Sequence, residues 1–449
     1  MTAAHSKRTV NGPGLASGQL MPVGPLGNWQ WPEKAARATA PPLRGGQAHQ
    51  LSRPVVYAAP LLRQSKVHTY LKSNELGGAS LAEKTFRVLS LDGGGVRGIY
   101  TASLLQQLAL RISRFTGNDA VNRLDLGARF NLIVGTSTGS IVGAALAAGV
   151  PLEDVVELYR TRSKYIFHSP QPIQRGGCFD KLRVGAWALW HGRQAANQPG
   201  ALSKALQSVL GEETMEQLYL RRGIALCVPT VDATTNRAWI FKTPHNQRLT
   251  RDNAYRLVDV CLASAAAPIY FPIHGVNDPD GGGQKHWFVD GGLWANNPVL
   301  VALVEALEVA PSDARIEVLS VGTGGAPKSN LLTARQANRG TFGWKGGVDI
   351  VSMSLESQAT VTAYLAKQLA ASTGRVTLHR LQDSPVAPEE AGYLGLDTGT
   401  EEAIAHMEKR ASRSTDINYS DLTTGVASPE RRMTLDMFSN LKLAAGRQE

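Results

Sequence analysis

The sequence predicts an α/β protein whose mostly parallel central sheet is covered by helices on both faces. Three observations carry this expectation. Short runs such as "FRVLSL" and "FNLIV" are apolar on both strand faces, the pattern of strands buried on both sides. Stretches with helical spacing of apolar residues follow them in alternation. Glycine-rich turns separate the two, and 45 glycines in 449 residues supply many of them.

Taken in order, Phe86 opens a strand that ends at a glycine loop. "IYTASLLQQLALRISRFTG" then sets Leu104, Leu105, Leu108 and Ile112 on one helical stripe, with Gly117 as its stop. "FNLIV" is a second strand, entering a turn at Ser137 and a helix of small residues. "RRGIALCVPTVDA" and "RAWIFKT" read as further strands, and "RDNAYRLVDVCLASAAAPIYFP" as a helix stopped by Pro268. "HWFVDGG" is a short strand ending in Asp290. Asn297 and Pro298 start the helix "VLVALVEALEVA", which Pro311 closes, and "RIEVLSVGTG" is one more strand. Beyond about Arg375 the pattern turns polar and weak. Three regions are therefore expected: a Pro/Gly-rich arm over residues 1–84, a folded body over 85–375, and a C-terminal appendage over 376–449.

The net charge of +10 invites a nucleic-acid or anionic-membrane partner, but its distribution argues against the first. Residues 1–84 carry ten Lys/Arg against three acids, so the body is nearly balanced and no nucleic acid is expected. Cys178, Cys227 and Cys261 lack metal-ligand spacing and read as reduced thiols of a cytoplasmic protein. The N-terminal stretch has no apolar core of a secretory signal. Phe130–Leu152 is uncharged and long enough for a bilayer, yet its centre, Gly135-Thr136-Ser137-Thr138-Gly139, reads as a turn between a buried strand and a buried helix.

That pentapeptide matches G-x-S-x-G with a strand before and a helix after. A nucleophile held on so sharp a turn stores about 1–3 kcal/mol of backbone strain. Gly135 and Gly139 remove the side chains that would collide there. A serine needs a base, but none of His168, His191, His245, His274, His286, His379 and His406 stands at a strand end among small residues. Asp290 does, followed by Gly291 and Gly292, which suits a carboxylate acting directly on a serine.

The loop "DGGGVRG", Asp92–Gly98, satisfies the dinucleotide fingerprint through Gly93, Gly95 and Gly98. A dinucleotide site also needs an acid at the end of the second strand, and Asp119 and Asp125 precede that strand instead. The alternative is an oxyanion hole in which Gly93, Gly94 and Gly95 donate backbone N–H groups, each worth about 2.7–4 kcal/mol. Arg97 then either supports the loop or meets a phosphate headgroup. "VGAWALWHG" places Trp187 and Trp190 near basic residues, either at a membrane interface or in a core. "NDPDGGG", Asn277–Gly283, lacks a calcium-loop ligand run and reads as an exposed turn.

"DGGGVRG", "GTSTG" and "DGG", in that order, resemble the patatin-like phospholipases, a family of Ser–Asp acyl hydrolases. The likeness extends to "ASAAAPIYFP", "FVDGGLWANNPV" and "VLSVGTG" and covers roughly residues 86–329. It implies a three-layer patatin-like fold, Ser137 as nucleophile, Asp290 as base and Gly93–Gly95 as oxyanion hole. It further implies hydrolysis of phospholipid or other acyl-ester lipid at a transient membrane surface, with no metal and no cofactor. Some bacterial members are effectors switched on by a cyclic nucleotide, so a small-molecule or protein activator belongs to the same expectation. Nothing carries over to residues 1–84 or 376–449.

Overall fold

The structure, a computed structural model, describes residues 84–117, 123–172, 180–246, 248–279, 282–325, 337–340, 343–344, 347–425 and 428–444. The N-terminal arm up to residue 83 and Cys178 lie outside the described residues.

Strand β1 (Thr85–Leu91) leads through the glycine loop into α1 (Gly98–Phe115), and β2 (Leu132–Gly135) through the Ser137 turn into α2 (Thr138–Ala148). Helices α3 (Leu152–Ile166), α4 (Asp180–Trp190), α5 (Gly200–Leu210) and α6 (Met215–Arg222) follow. The hairpin β3 (Ala225–Asp232) and β4 (Arg237–Lys242) precedes α7 (Leu257–Ser264), β5 (His274–Asn277) and β6 (Lys285–Asp290). A single turn α8 (Gly292–Ala295), α9 (Val299–Val309) and β7 (Arg315–Val321) complete the expected elements. Then come α10 (Val348–Thr373), β8 (Val376–Arg380), α11 (Glu401–Thr424) and α12 (Pro429–Phe438).

The eight strands form one sheet in the order β5-β6-β3-β2-β1-β7-β8, with β4 also pairing β3. Pairings among β3, β2, β1, β7 and β8 are parallel, so the fold is the mostly parallel α/β architecture expected. Successive strand residues point to opposite faces, and both faces are buried. Leu89, Leu91 and Ile133 join the core under α1, α2 and α3. Val88, Leu132, Val134 and Val318 pack beneath α9 and α10 on the other side. Each such side chain removed from water contributes about 1.5–3 kcal/mol, so the sheet plane is the stable frame on which the loops stand.

Two features position the candidate site. The parallel register Leu91↔Gly135 and Leu91↔Val321 brings the carboxyl ends of β1, β2 and β7 level, so the loops after them share one edge. In addition, β4 occupies one edge of β3, while β2 and β6 divide the other. β2 pairs there up to Val134↔Cys227, and β6 runs antiparallel to end at Thr230↔Asp290. The ends of β2 and β6 therefore meet head to head, and the turns leaving them face each other.

Two expectations are corrected. Residues 376–438 are not an appendage: β8 pairs with β7 in the sheet, and α11 packs on α1. Their apolar periodicity is broken because the buried face of α11 carries Arg410, Ser414, Thr415 and Asn418 among Ile404, Met407, Ala411 and Leu422. Arg410 donates to the carbonyl oxygens of Gly324 and Ser384 and holds Nε 3.9 Å from Glu390, and the Asn418 amide donates to the Gln382 carbonyl, so these polar groups have partners inside. The helix expected to begin near Arg251 starts only at Leu257. Asp252, which would lie on its first turn, instead accepts the Lys242 backbone N–H and pairs with Arg251.

Candidate active site

Ser137 sits between β2 and α2 with φ 52° and ψ −121°, a conformation an L-residue adopts only under constraint. The neighbouring glycines explain how it is held. A Cβ on Gly135 would lie 2.1 Å from the Gly139 carbonyl oxygen, and one on Gly139 would lie 2.3 Å from that of Leu91. The turn is pinned further by Ser264, whose Oγ accepts the Ser137 N–H at 2.8 Å and donates to the Pro229 carbonyl at 2.6 Å.

Ser137 Oγ donates a hydrogen bond to Asp290 Oδ2 at 2.7 Å, and both residues are buried. The other carboxylate oxygen, Oδ1, accepts the Gly292 N–H at 2.6 Å, which fixes the plane of the carboxylate. Gly291 permits the turn, because a Cβ there would stand 2.1 Å from the Pro229 carbonyl oxygen. Burial pushes the Asp290 carboxyl up to about 6, against the hydrogen bonds from Ser137 and Gly292 that pull it down. A carboxylate of that basicity is poised to accept a proton near neutral pH.

The glycine loop lies against this pair, but its three glycines are not equivalent. The Gly93 N–H donates to the Asn296 carbonyl oxygen at 2.8 Å. The expectation that Gly93 supplies an oxyanion donor is therefore corrected: its hydrogen is already engaged. Gly94 and Gly95 line the cavity beside Ser137, and among the described residues no acceptor meets their N–H groups. Gly95 has φ +58°, and a Cβ there would sit 2.1 Å from the Leu396 carbonyl oxygen, which also accepts the Val96 N–H. With the N–H groups of Gly93, Val96 and Arg97 all bonded to carbonyl oxygens, a pyrophosphate would find only those of Gly94 and Gly95. The dinucleotide reading of the loop loses its cradle.

Arg97 is buried and directs Nε to the Gly94 carbonyl oxygen at 3.3 Å, supporting the loop from behind. Burial holds its guanidinium below the usual arginine range. It lines a second, polar cavity of about 160 Å³ with Asp92, Glu356, Arg380 and Asp383. There Arg380 pairs with Asp92 at 2.6 Å.

Three contributors were not singled out in the sequence. The Thr138 N–H, next to the serine at the start of α2, has no acceptor among the described residues and lines the same cavity as Gly94. Position relative to the nucleophile was the signal that could have found it. Asn296 anchors Gly93, and Leu396 anchors Gly95 and Val96, both through backbone carbonyls that leave no mark on residue type. The cavity itself, about 70 Å³, is lined mainly by carbon, with Ile141, Leu158, Ile166, Phe167 and Phe271 among its walls. Such a wall suits an acyl chain.

Elsewhere, Trp187 is buried and donates Nε1–H to the Ser169 carbonyl, whereas Trp190 is 85% exposed. His286 stacks near Phe288 and Trp239. Cys227, His245 and Glu305 come within 4.8 Å of one another, yet the Glu305 oxygens are already met by Lys242 and His245. Part of the turn 277–283 lies outside the described residues. Among the described residues, no helix is long and apolar enough to cross a membrane.

Comparison with known proteins decides the family. The family model described as Patatin-like phospholipase matches residues 89–303, which hold the glycine loop, Ser137 and Asp290. A cGAMP-activated phospholipase of Vibrio cholerae serotype O1 is 32% identical over 333 residues, covering 72% of this chain and 88% of its own. The chain belongs to the patatin-like phospholipase family. A second cGAMP-activated phospholipase, from Escherichia coli, is 27% identical over 345 residues, 74% of this chain and 89% of its own. Patatin-like protein 1 of Oryza sativa subsp. indica is 30% identical over 308 residues, 63% and 70% of the two chains. Membership in the patatin-like phospholipases makes the chain a lipid hydrolase.

Proposed function

We propose that this protein is a serine acyl hydrolase of the phospholipase A or lysophospholipase type, working through a Ser137–Asp290 dyad. The observation that carries the reading is the 2.7 Å hydrogen bond from Ser137 Oγ to Asp290 Oδ2 beside an apolar cavity. As Ser137 Oγ attacks the ester carbonyl, its proton passes to Asp290, whose other oxygen stays tied to Gly292. Negative charge developing on the carbonyl oxygen meets the N–H groups of Gly94, Gly95 and Thr138, which line the cavity with no acceptor of their own among the described residues. Arg97 acts from behind the loop by holding the Gly94 carbonyl. Protonated Asp290 returns its proton to the departing alcohol, then takes one from the water that attacks the acyl-enzyme and passes it to Ser137 Oγ as the fatty acid leaves. Every proton step has a side chain of this chain within reach, so the reading requires no metal and no cofactor.

The substrate is a phospholipid or another acyl-ester lipid, met at a membrane surface from the cytoplasm; the buried free thiols of Cys227 and Cys261 accord with a reducing compartment. Two relatives bear the name cGAMP-activated phospholipase, which supports a regulated effector with a small-molecule activator.

The test is fatty-acid release from mixed phospholipid liposomes, followed by mass spectrometry with EDTA present. Wild type should release acid, and Ser137→Ala should lose about 10⁴-fold or more of that rate. Asp290→Asn should fall comparably. Release that survives Ser137→Ala removes the proposal.

A further inference from the structure

Helix α4 is apolar on two opposite faces, and only one of them is packed. Val184 and Trp187 are buried against the body. On the other side Leu182, Ala186, Leu189 and Trp190 follow the i, i+4, i+7, i+8 spacing of a single stripe. Leu182 is 69% exposed, Leu189 82% and Trp190 85%. In a water-soluble helix that stripe would be polar. Its charge is biased too: exposed Arg183 and Arg193 flank the stripe with no acid between them, and Asp180 at the start of the helix is the acid nearest to it in sequence.

The helix is fastened to the wall of the apolar cavity. Trp187 Nε1 donates to the Ser169 carbonyl at 3.2 Å, and Ser169 Oγ meets His191 Nε2 at 2.9 Å. The Ser169 N–H donates to Asn197 Oδ1, and Asn197 in turn donates to the Tyr270 carbonyl through its backbone N–H and Nδ2. Tyr270 and Phe271 line the cavity beside Ser137, where Phe271 packs edge-on against Phe167. Whatever seats on the outer stripe of α4 is therefore tied, through Ser169 and Asn197, to the wall of the apolar cavity.

We propose that the stripe Leu182–Ala186–Leu189–Trp190 is the surface by which this protein docks on an anionic phospholipid bilayer. The inference rests on the reading of the chain as a lipid acyl hydrolase. Leucine side chains enter the acyl region, the Trp190 ring takes the interfacial level, and Arg183 and Arg193 meet the headgroups. Anionic lipid is the occupant that answers both the apolar stripe and the exposed arginines, Arg183 and Arg193, that flank it. Docked this way, the wall formed by Tyr270 and Phe271 is brought to the membrane from which the substrate comes.

The experiment uses full-length Ser137→Ala protein, so that vesicles are not consumed, in cosedimentation with phosphatidylglycerol-containing and with pure phosphatidylcholine vesicles. The parent should bind the anionic vesicles more tightly. Adding Leu189→Glu and Trp190→Glu should lower the bound fraction at least about tenfold, while a control, Val304→Glu on the exposed side of α9, should leave it unchanged. On the Ser137 background the Leu189→Glu/Trp190→Glu variant should hydrolyse p-nitrophenyl butyrate at the wild-type rate, which also shows that it folds. The proposal is overturned if the parent ignores both vesicles, if the helix variant binds as well as the parent, or if Val304→Glu weakens binding equally. Sedimentation velocity showing that the helix variant splits a wild-type dimer would assign the stripe to a second copy and equally overturn it. Hydrolysis of the soluble ester by Ser137→Ala would instead remove the acyl hydrolase reading, whatever the vesicles show.

Discussion

The glycine loop is held from two sides by chain of very different character. On one side stand the ends of β2 and β6, with Ser137 and Asp290, both from the middle of the sequence. On the other stands the Leu396 carbonyl, which accepts the Val96 N–H and lies where a Cβ of Gly95 would have to go. The first side writes itself into residue identity, because a strained serine and backbones in contact demand particular residues. The second acts through one backbone carbonyl that any residue could offer. Catalytic geometry is thus specified by both sides, but only one of them can be recognised by motif.

The largest way to break this arrangement short of removing the serine or its base is Gly95→Ala. The substitution needs a left-handed φ and drives a methyl group against the Leu396 carbonyl, so the loop must move. With Gly94 and Gly95 donors displaced, ester hydrolysis should fall about 10²–10³-fold. The loss should appear in kcat on a soluble ester, while the circular dichroism spectrum stays native. An unchanged kcat would mean that the loop does not face the reacting oxygen.

A smaller effect, of opposite sign on stability, separates the dyad from its frame. The folded pKa of Asp290 lies above its unfolded value, so its contribution to stability is fully present below about pH 4 and is lost as pH rises through about 6. Holding this buried carboxylate ionised at pH 8 costs on the order of 2–3 kcal/mol. Asp290→Asn removes that cost while removing the base, and should raise Tm at pH 8 by several degrees in an inactive protein. The gain should shrink at pH 4. A variant less stable than wild type at both pH values would show that the carboxylate holds the turn together rather than straining it.

Much of the fold and the centre of the site were legible in the sequence. β1, β2, β3 and β7 are apolar on both faces, and Gly135, Gly139 and Gly291 stand where neighbouring carbonyls exclude a Cβ. What escaped notice is of another kind. β8 is a half-buried edge strand, "VTLHR", and α11 interrupts its apolar stripe of Ile404, Met407, Ala411 and Leu422 with buried, hydrogen-bonded polar groups. The engagement of Gly93 by Asn296 is a main-chain contact, so three adjacent glycines read alike although only two are left with N–H groups to offer.

The central claim is that Asp290 activates Ser137 directly. It is tested most directly by the pH dependence of Ser137 phosphonylation with a fluorophosphonate ester, located by mass spectrometry of the labelled peptide. The rate should be low at pH 4, rise through about pH 6 and level off above pH 7, as Asp290 loses its proton. Asp290→Asn should abolish the rise. Label on another residue, or a rate at Ser137 that is flat across this range and unaffected by Asp290→Asn, would contradict the dyad.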